Sequence, residues 1–227
     1  MKNVISVFLF SMLCLNMFGQ SLEQKLNEQD RRLLTQALES GDYQTAATAS
    51  QSLLVRDKNN LGIIDTLVLL YKIIGNQQGI LYMTKRIIEA DPGNLKALEN
   101  HASAAKKLKQ HGEAITTYNR LYQIEGNTKY LYEIAALYYG AKDEVTGEKV
   151  MQQIINSPRG KTDLIEIVVS KGQTIEVPVL AVAYNYLGYL NFANDKKEDA
   201  KFYFNKSLEV FPDFILAKNN LDNLKKK

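Results

Sequence analysis

Between Ala181 and Phe214 apolar residues recur at helical spacing in two runs separated by a polar stretch. Tyr184, Leu187 and Gly188 share one face of a first predicted helix, Ala200 and Phe204 share one face of a second, and Pro212 closes the unit. A small residue at Gly188 or Ala200 lets two backbones approach closely, while Tyr184, Leu187 and Phe204 fill the space beside the crossing. A helix pair of this size cannot bury its apolar stripe alone, so the pattern predicts neighbours of the same kind.

Those neighbours stand at one fixed interval. Ala46, Ile80 and Ala114 lie 34 residues apart where a second helix opens, and Leu33-Leu34, Leu67-Val68 and His101-Ala102 keep the same phase in the first helices. The first unit spans Asn27 to Asn60, with Gly41-Asp42-Tyr43 as its turn and Gly41 as a left-handed helix cap. The second spans Leu61 to Asn94 and ends, like the Pro212 unit, on a proline, Pro92. The third spans Leu95 to Thr128, and the fourth begins at Lys129 with Tyr132, Ala135-Ala136 and Tyr139. Strict spacing in the fourth would bury Glu148 without a partner, so a turn two residues longer is expected, placing Val150 and Ile154 in the buried slots.

From Ala114 to Ala200 is 86 residues, two periods and 18 more, so about 18 residues are inserted before the fifth unit. The β-branched runs Leu164 to Val169 and Thr174 to Val177, separated by Ser170-Lys171-Gly172-Gln173, predict a β-hairpin over 163–178. Two strands alone are marginally stable in water, so Ile165, Ile167 and Ile175 are expected to pack against the rest of the chain. Residues 215–227, with Ile215, Leu216, Leu221 and Leu224 apolar, read as a capping helix.

The unit of Tyr184, Leu187-Gly188, Ala200, Phe204 and Pro212 resembles the tetratricopeptide repeat, with Asn191 standing where that family usually has tyrosine. The resemblance covers Asn27 to Lys227 apart from the insert. It implies an all-α, right-handed α-solenoid of about five helix-turn-helix repeats, with a C-terminal capping helix and a β-hairpin between repeats four and five. It also implies a concave wall lined by the first helices, where this family commonly receives an extended peptide or a partner helix.

Opposite the core stripe of Ile64, Leu67, Val68 and Tyr71, the wall positions of the second unit are Asp65, Leu69 and Lys72. The repeat interval transfers them to Arg31, Thr35 and Leu38 in the first unit, and to Lys96, Glu99, Ser103 and Lys106 in the third. The fourth unit contributes Tyr130, Glu133 and Leu137, and the fifth Asn185, Tyr189 and Phe192. The wall is of mixed charge at its start and aromatic toward the fifth unit, where Asn185 can pair with peptide backbone and Tyr189 and Phe192 can bury a large side chain. The alternative for Tyr189 and Phe192 is that the hairpin or the capping helix covers them. Members of the family that clamp chaperone C-termini use lysine and asparagine; the nearest set here, Arg31, Thr35, Thr66, Lys96 and Asn100, has threonine at two asparagine places, so such a chaperone is not the expected partner.

Composition narrows the class of partner. With 227 residues, 45% apolar and 23% charged, the chain is an ordinary globular one, and a net charge of +3 spread over both signs does not argue for nucleic acid. The Lys225-Lys226-Lys227 end reads as solvated. Met1-Lys2-Asn3, the apolar run Val4 to Phe18 and the small residues after it have the layout of a secretory signal peptide over residues 1–20, cut after Gly19 or Gln20. The run is shorter than the ~20 residues a spanning helix needs, and a retained anchor is the alternative. Cys14, the only cysteine, lies within it behind Leu13, which does not suit lipid attachment. The expectation is an exported protein, periplasmic, associated with the outer membrane, or secreted.

Candidate chemistry is sparse. His101 takes a core-facing slot and His111 lies in a turn, neither with further ligands at helical spacing, so no metal site is expected. No nucleophile-elbow, phosphate-loop or zinc-protease motif is present, and neither a cofactor nor an enzyme is expected. The favoured reading is a non-catalytic scaffold of the cell envelope that binds another protein or peptide, and it includes an envelope complex or a homo-oligomer formed through the hairpin. The alternatives are an accessory protein or enzyme with a small-molecule pocket under the hairpin, and a self-assembling structural protein.

Overall fold

Short polar residues between the apolar stripes act as helix starts. Asp42, Asn60, Asn76, Asn94 and Asp143 each accept a hydrogen bond from the backbone N–H three residues on, at 2.9–3.1 Å. Gly41 and Gly75, at φ 73° and 77°, adopt the left-handed conformation that ends a helix, where a side chain would be strained. A computed structural model describes residues 22–170 and 172–226. The expected signal segment, Lys171 at the hairpin tip and Lys227 lie outside the described residues.

The chain divides into two compact units, one up to Asn100 and one from His101. The first holds α1 (residues 22–39), α2 (Tyr43–Arg56), α3 (Leu61–Ile74) and α4 (Gln77–Ala90), and α5 (Leu95–Lys107) runs through the division. The second continues with α6 (His111–Glu125), α7 (Lys129–Gly140), α8 (Glu144–Asn156), a 3-10 turn (Pro158–Lys161), β1 (Leu164–Ser170), β2 (Gln173–Pro178), α9 (Val179–Ala193), α10 (Lys197–Val210) and α11 (Ile215–Lys226). Among the described residues no helix is long and apolar enough to cross a membrane.

Within each helix pair the second helix buries one column at i, i+4 and i+7. The columns are Ala46, Ser50 and Leu53; Ile80, Thr84 and Ile87; Ala114, Tyr118 and Leu121; Gly147, Met151 and Ile154; and Ala200, Phe204 and Ser207. The first helices answer with Ile64, Leu67 and Tyr71 in α3, Leu98 and Ala102 in α5, Ile134 and Ala135 in α7, and Leu187 and Gly188 in α9. In α1 only Ala37 of the expected core is buried, and Leu33 is 40% exposed. Arg56 of α2 bonds to Asn27 and Asp30 of that helix.

The fourth unit corrects the expected spacing. Its buried column starts at Gly147, so the preceding turn is one residue shorter than strict spacing rather than two longer. Glu148 stays exposed, while Val150 and Ile154 are buried. The Tyr139 ring explains the shift, because a Cβ on residue 147 would stand 2.9–3.0 Å from its carbons, which only glycine avoids.

The hairpin pairs β1 and β2 antiparallel, with Ile165 opposite Val177 and Ile167 opposite Ile175, and an irregularity between Val168 and Ser170. Ile165, Ile167 and Ile175 pack on the buried cluster of Val177, Ala181, Val182, Phe214 and Ala217, so α9 and α11 supply the apolar face that two strands need. Buried Asp163 anchors the start of the insert. It accepts bonds from the Thr128 N–H and hydroxyl at 2.8 and 2.9 Å and from the Arg159 guanidinium at 3.0 and 3.2 Å, and its carbonyl accepts the Val179 N–H at 3.0 Å. The Asp163 carboxylate thereby joins the α6–α7 turn to the 3-10 turn, and its backbone carbonyl adds the first residue of α9.

The two kinds of helix cap differ in their response to acid. Hydrogen bonds from Thr45 and Thr146 hold the Asp42 and Asp143 carboxyls below the ordinary value of 3.8. A lowered folded-state value means the caps contribute fully above the unfolded value, and that contribution is lost as pH falls through the folded one. Below about pH 4 the first turns of α2 and α8 are expected to fray before those of α3 and α4, which asparagines cap. Amide exchange at Thr45 and Thr146, compared with Ile63 and Gly79, checks this; equal loss at all four sites contradicts it.

Candidate protein-binding face

α9 has almost no polar side. Its first five residues, Val179 to Ala183, are buried with Leu187 and Gly188, the last two against α10, where a Cβ on Gly188 would reach the Phe204 ring at 2.5 Å. Tyr189 nonetheless stands 54% exposed, beside half-buried Asn185 and Phe192. Asn185 accepts a hydrogen bond from Asn220 of α11 at 3.0 Å, so the capping helix holds that amide in place. On α7, half-buried Glu133 pairs with Lys106 of α5, and Ser103 is half-buried on the same helix as Lys106.

The expected wall residues of the N-terminal unit, Arg31, Thr35, Asp65, Leu69, Lys72, Lys96 and Glu99, are all exposed, with Leu69 59% accessible. Two wall positions on α7 are corrected. Tyr130 is 2% exposed, its ring stacked on Tyr118 at 6.3 Å between centroids and its hydroxyl donating to Glu125, and Leu137 is buried at 5%. An aromatic side chain in the first turn of α7 finds apolar cover by folding back on α6, whereas Lys96 at the same repeat position stays in water. His101 is buried as expected and lies 2.9 Å from the Glu113 carboxylate.

Tyrosine rings gather between the last two helix pairs of the C-terminal unit; the repeat spacing picks out Tyr132, Tyr139 and Tyr184 but not Tyr186 and Tyr203. Tyr186 meets Tyr132 edge-on at 6.1 Å and Tyr139 at 5.2 Å, and Tyr184 stacks on Tyr203 at 6.3 Å. Burial above all pushes the Tyr132, Tyr139, Tyr186 and Tyr203 phenols upward, so they stay neutral donors throughout the physiological range. Beside them opens a cleft of about 390 Å³ whose walls include Glu144, Glu148, Asp199, Phe202 and Tyr203. Glu144 and Asp199 sit in the first turns of α8 and α10, and Glu148 lies one turn further along α8.

No family model matches the chain, and no curated protein does. Solved structures do match. A crystal structure of MamA protein aligns with a TM-score of 0.58 at 18% identity, covering 82% of this chain and 91% of that one. A tetratricopeptide repeat protein from Parabacteroides merdae gives 0.58 at 16% identity over 89% of this chain and 73% of that one. YrrB, described as a TPR protein with an unusual peptide-binding site, gives 0.55 at 13% identity over 82% and 87%. At these identities the likeness is one of fold.

Proposed function

We propose that this chain, whose helix hairpins have the tetratricopeptide-repeat fold, is an exported, non-catalytic scaffold that binds another protein or an extended peptide through its first helices. The observation that carries the reading is Tyr189, an aromatic side chain left 54% exposed on a helix whose other large side chains are all buried or half-buried. An exposed tyrosine buries a large area for little lost rotamer freedom, and neighbouring Phe192 and Asn185 supply further apolar area and an amide for peptide backbone. YrrB supports the reading in general terms as a peptide-binding protein of the same fold. The signal-like segment at residues 1–20 supports a place in the cell envelope or beyond it.

Most of the buried polar side chains support a non-catalytic role, because they are bonded within the fold. Thr84, Thr117 and Ser207 donate to the carbonyls of Ile80, Glu113 and Ala181, Thr128 and Asp163 bond each other, and His101 pairs with Glu113. The inner face of the hairpin is filled by Ile165, Ile167 and Ile175, which favours a scaffold over a small-molecule pocket beneath it.

Tyr189→Ala is expected to weaken a co-purified partner about tenfold or more, the usual cost of losing a central aromatic contact. Binding by isothermal titration and helicity by circular dichroism check it. Unchanged affinity with unchanged helicity removes this face from the account.

A further inference from the structure

We propose that the cleft beside α8, α9 and α10 is a docking site for an arginine side chain on an extended segment of the partner. The inference rests on the protein-partner reading and gives that partner a chemistry. Three observations carry it.

The first is the setting of the cleft. In the C-terminal unit α7 follows α6, and α11 follows α10, after a three- or four-residue turn, but α8 reaches α9 only through the 3-10 turn and the hairpin. At the other end of these two helices from that connection, a space of about 390 Å³ opens between the first half of α8, the second half of α9 and the start of α10, enough for a guanidinium and part of its stem. The second is its charge. Glu144, Glu148 and Asp199 line it against a single lysine, Lys196, and among the described residues none of the three acids is in an ion pair. Glu148 acts on both the Tyr139 and Tyr203 phenols, Glu144 on the first and Asp199 on the second, so the carboxylates converge on the rings.

The third is the walls. Tyr139, Phe202 and Tyr203 present aromatic surface beside those acids, and the Phe202 ring already holds Lys206 Nζ at 5.9 Å from its centre. A guanidinium is planar and weakly hydrated; it stacks on rings while its fork bonds a carboxylate, which an ammonium does less well. Leu187, Leu190 and Asn191 of the rim lie on the opposite side of α9 from Tyr189, so a partner that engages both wraps around the end of α9, where Asn194 completes the rim. No group of three or more His, Cys, Asp or Glu among the described residues could hold a metal ion.

The test uses dye-labelled glycine-serine peptides bearing arginines, lysines or glutamates, with fluorescence anisotropy as the readout on the full chain. The arginine peptide is expected to bind about threefold or more tighter than the lysine peptide, and the glutamate peptide not to bind. Glu148→Gln with Asp199→Asn should weaken the arginine peptide about tenfold or more. Glu23→Gln with Glu39→Gln, which removes the same charge on α1, should leave it unchanged. Phe202→Ser, at a ring already 55% exposed, keeps the fold and should also weaken binding. Equal binding of the arginine and glutamate peptides, or full binding by the Glu148/Asp199 variant, overturns the proposal. Spermine binding without peptide binding also overturns it. Because the probe is synthetic, its failure leaves Tyr189-dependent partner capture standing, and loss of that capture leaves the arginine result standing.

Discussion

Asp163→Ala is expected to lower the free energy of unfolding by about 3 kcal/mol, the low end for removing one partner of a buried charged pair. The substitution strips hydrogen bonds from a fully buried Thr128, whose N–H and hydroxyl both point at the lost carboxylate. Each buried donor left without a partner costs about 1–3 kcal/mol. The low end applies because Arg159 is 50% exposed and regains water. Arg159→Ala should cost only about 1 kcal/mol, as a half-exposed pair does, since Asp163 keeps its bonds to Thr128. Urea melting followed by circular dichroism measures both. An Asp163→Ala variant within about 0.5 kcal/mol of the native chain, the range of a plain surface change, would show that the insert is not anchored there.

Phe204→Ala is expected to cost about 3–5 kcal/mol, because the ring is 1% exposed and nothing nearby can collapse into its place without moving α9. Gly188→Ala should cost about 1–3 kcal/mol by overpacking, since the added Cβ would stand 2.5 and 2.6 Å from two Phe204 ring carbons. The two positions are coupled. In a Phe204→Leu background the smaller side chain can make room, so the penalty at residue 188 should fall. A full thermodynamic cycle measures the coupling; a neutral Gly188→Ala, or additive effects, would contradict the close crossing of α9 and α10.

That crossing is legible in the sequence, because a glycine and an aromatic at fixed helical offsets have few other uses. The columns opening at Ala46, Ile80 and Ala114 were legible for the same reason: burial of a helix face imposes its period on residue type. The hairpin declared itself by β-branched runs around Lys171-Gly172. What stayed hidden depends on contacts between residues far apart in the chain. Asp163 reads as an ordinary loop acid, and nothing local reveals that Thr128, 35 residues earlier, lies against it. Tyr130 and Leu137 sit at wall positions by repeat phase, yet packing buries both. The start of the fourth column at Gly147, rather than at the expected Val150, follows from the bulk of Tyr139, a ring-to-backbone contact that spacing cannot show.

The central claim is that the face around Tyr189 touches a particular protein in the cell. A photo-crosslinking residue at position 189, compared with one at exposed Lys201 on α10, tests it most directly. The account predicts one discrete protein adduct from position 189 and none of that adduct from position 201. No adduct at 189, or the same set from both positions, contradicts it.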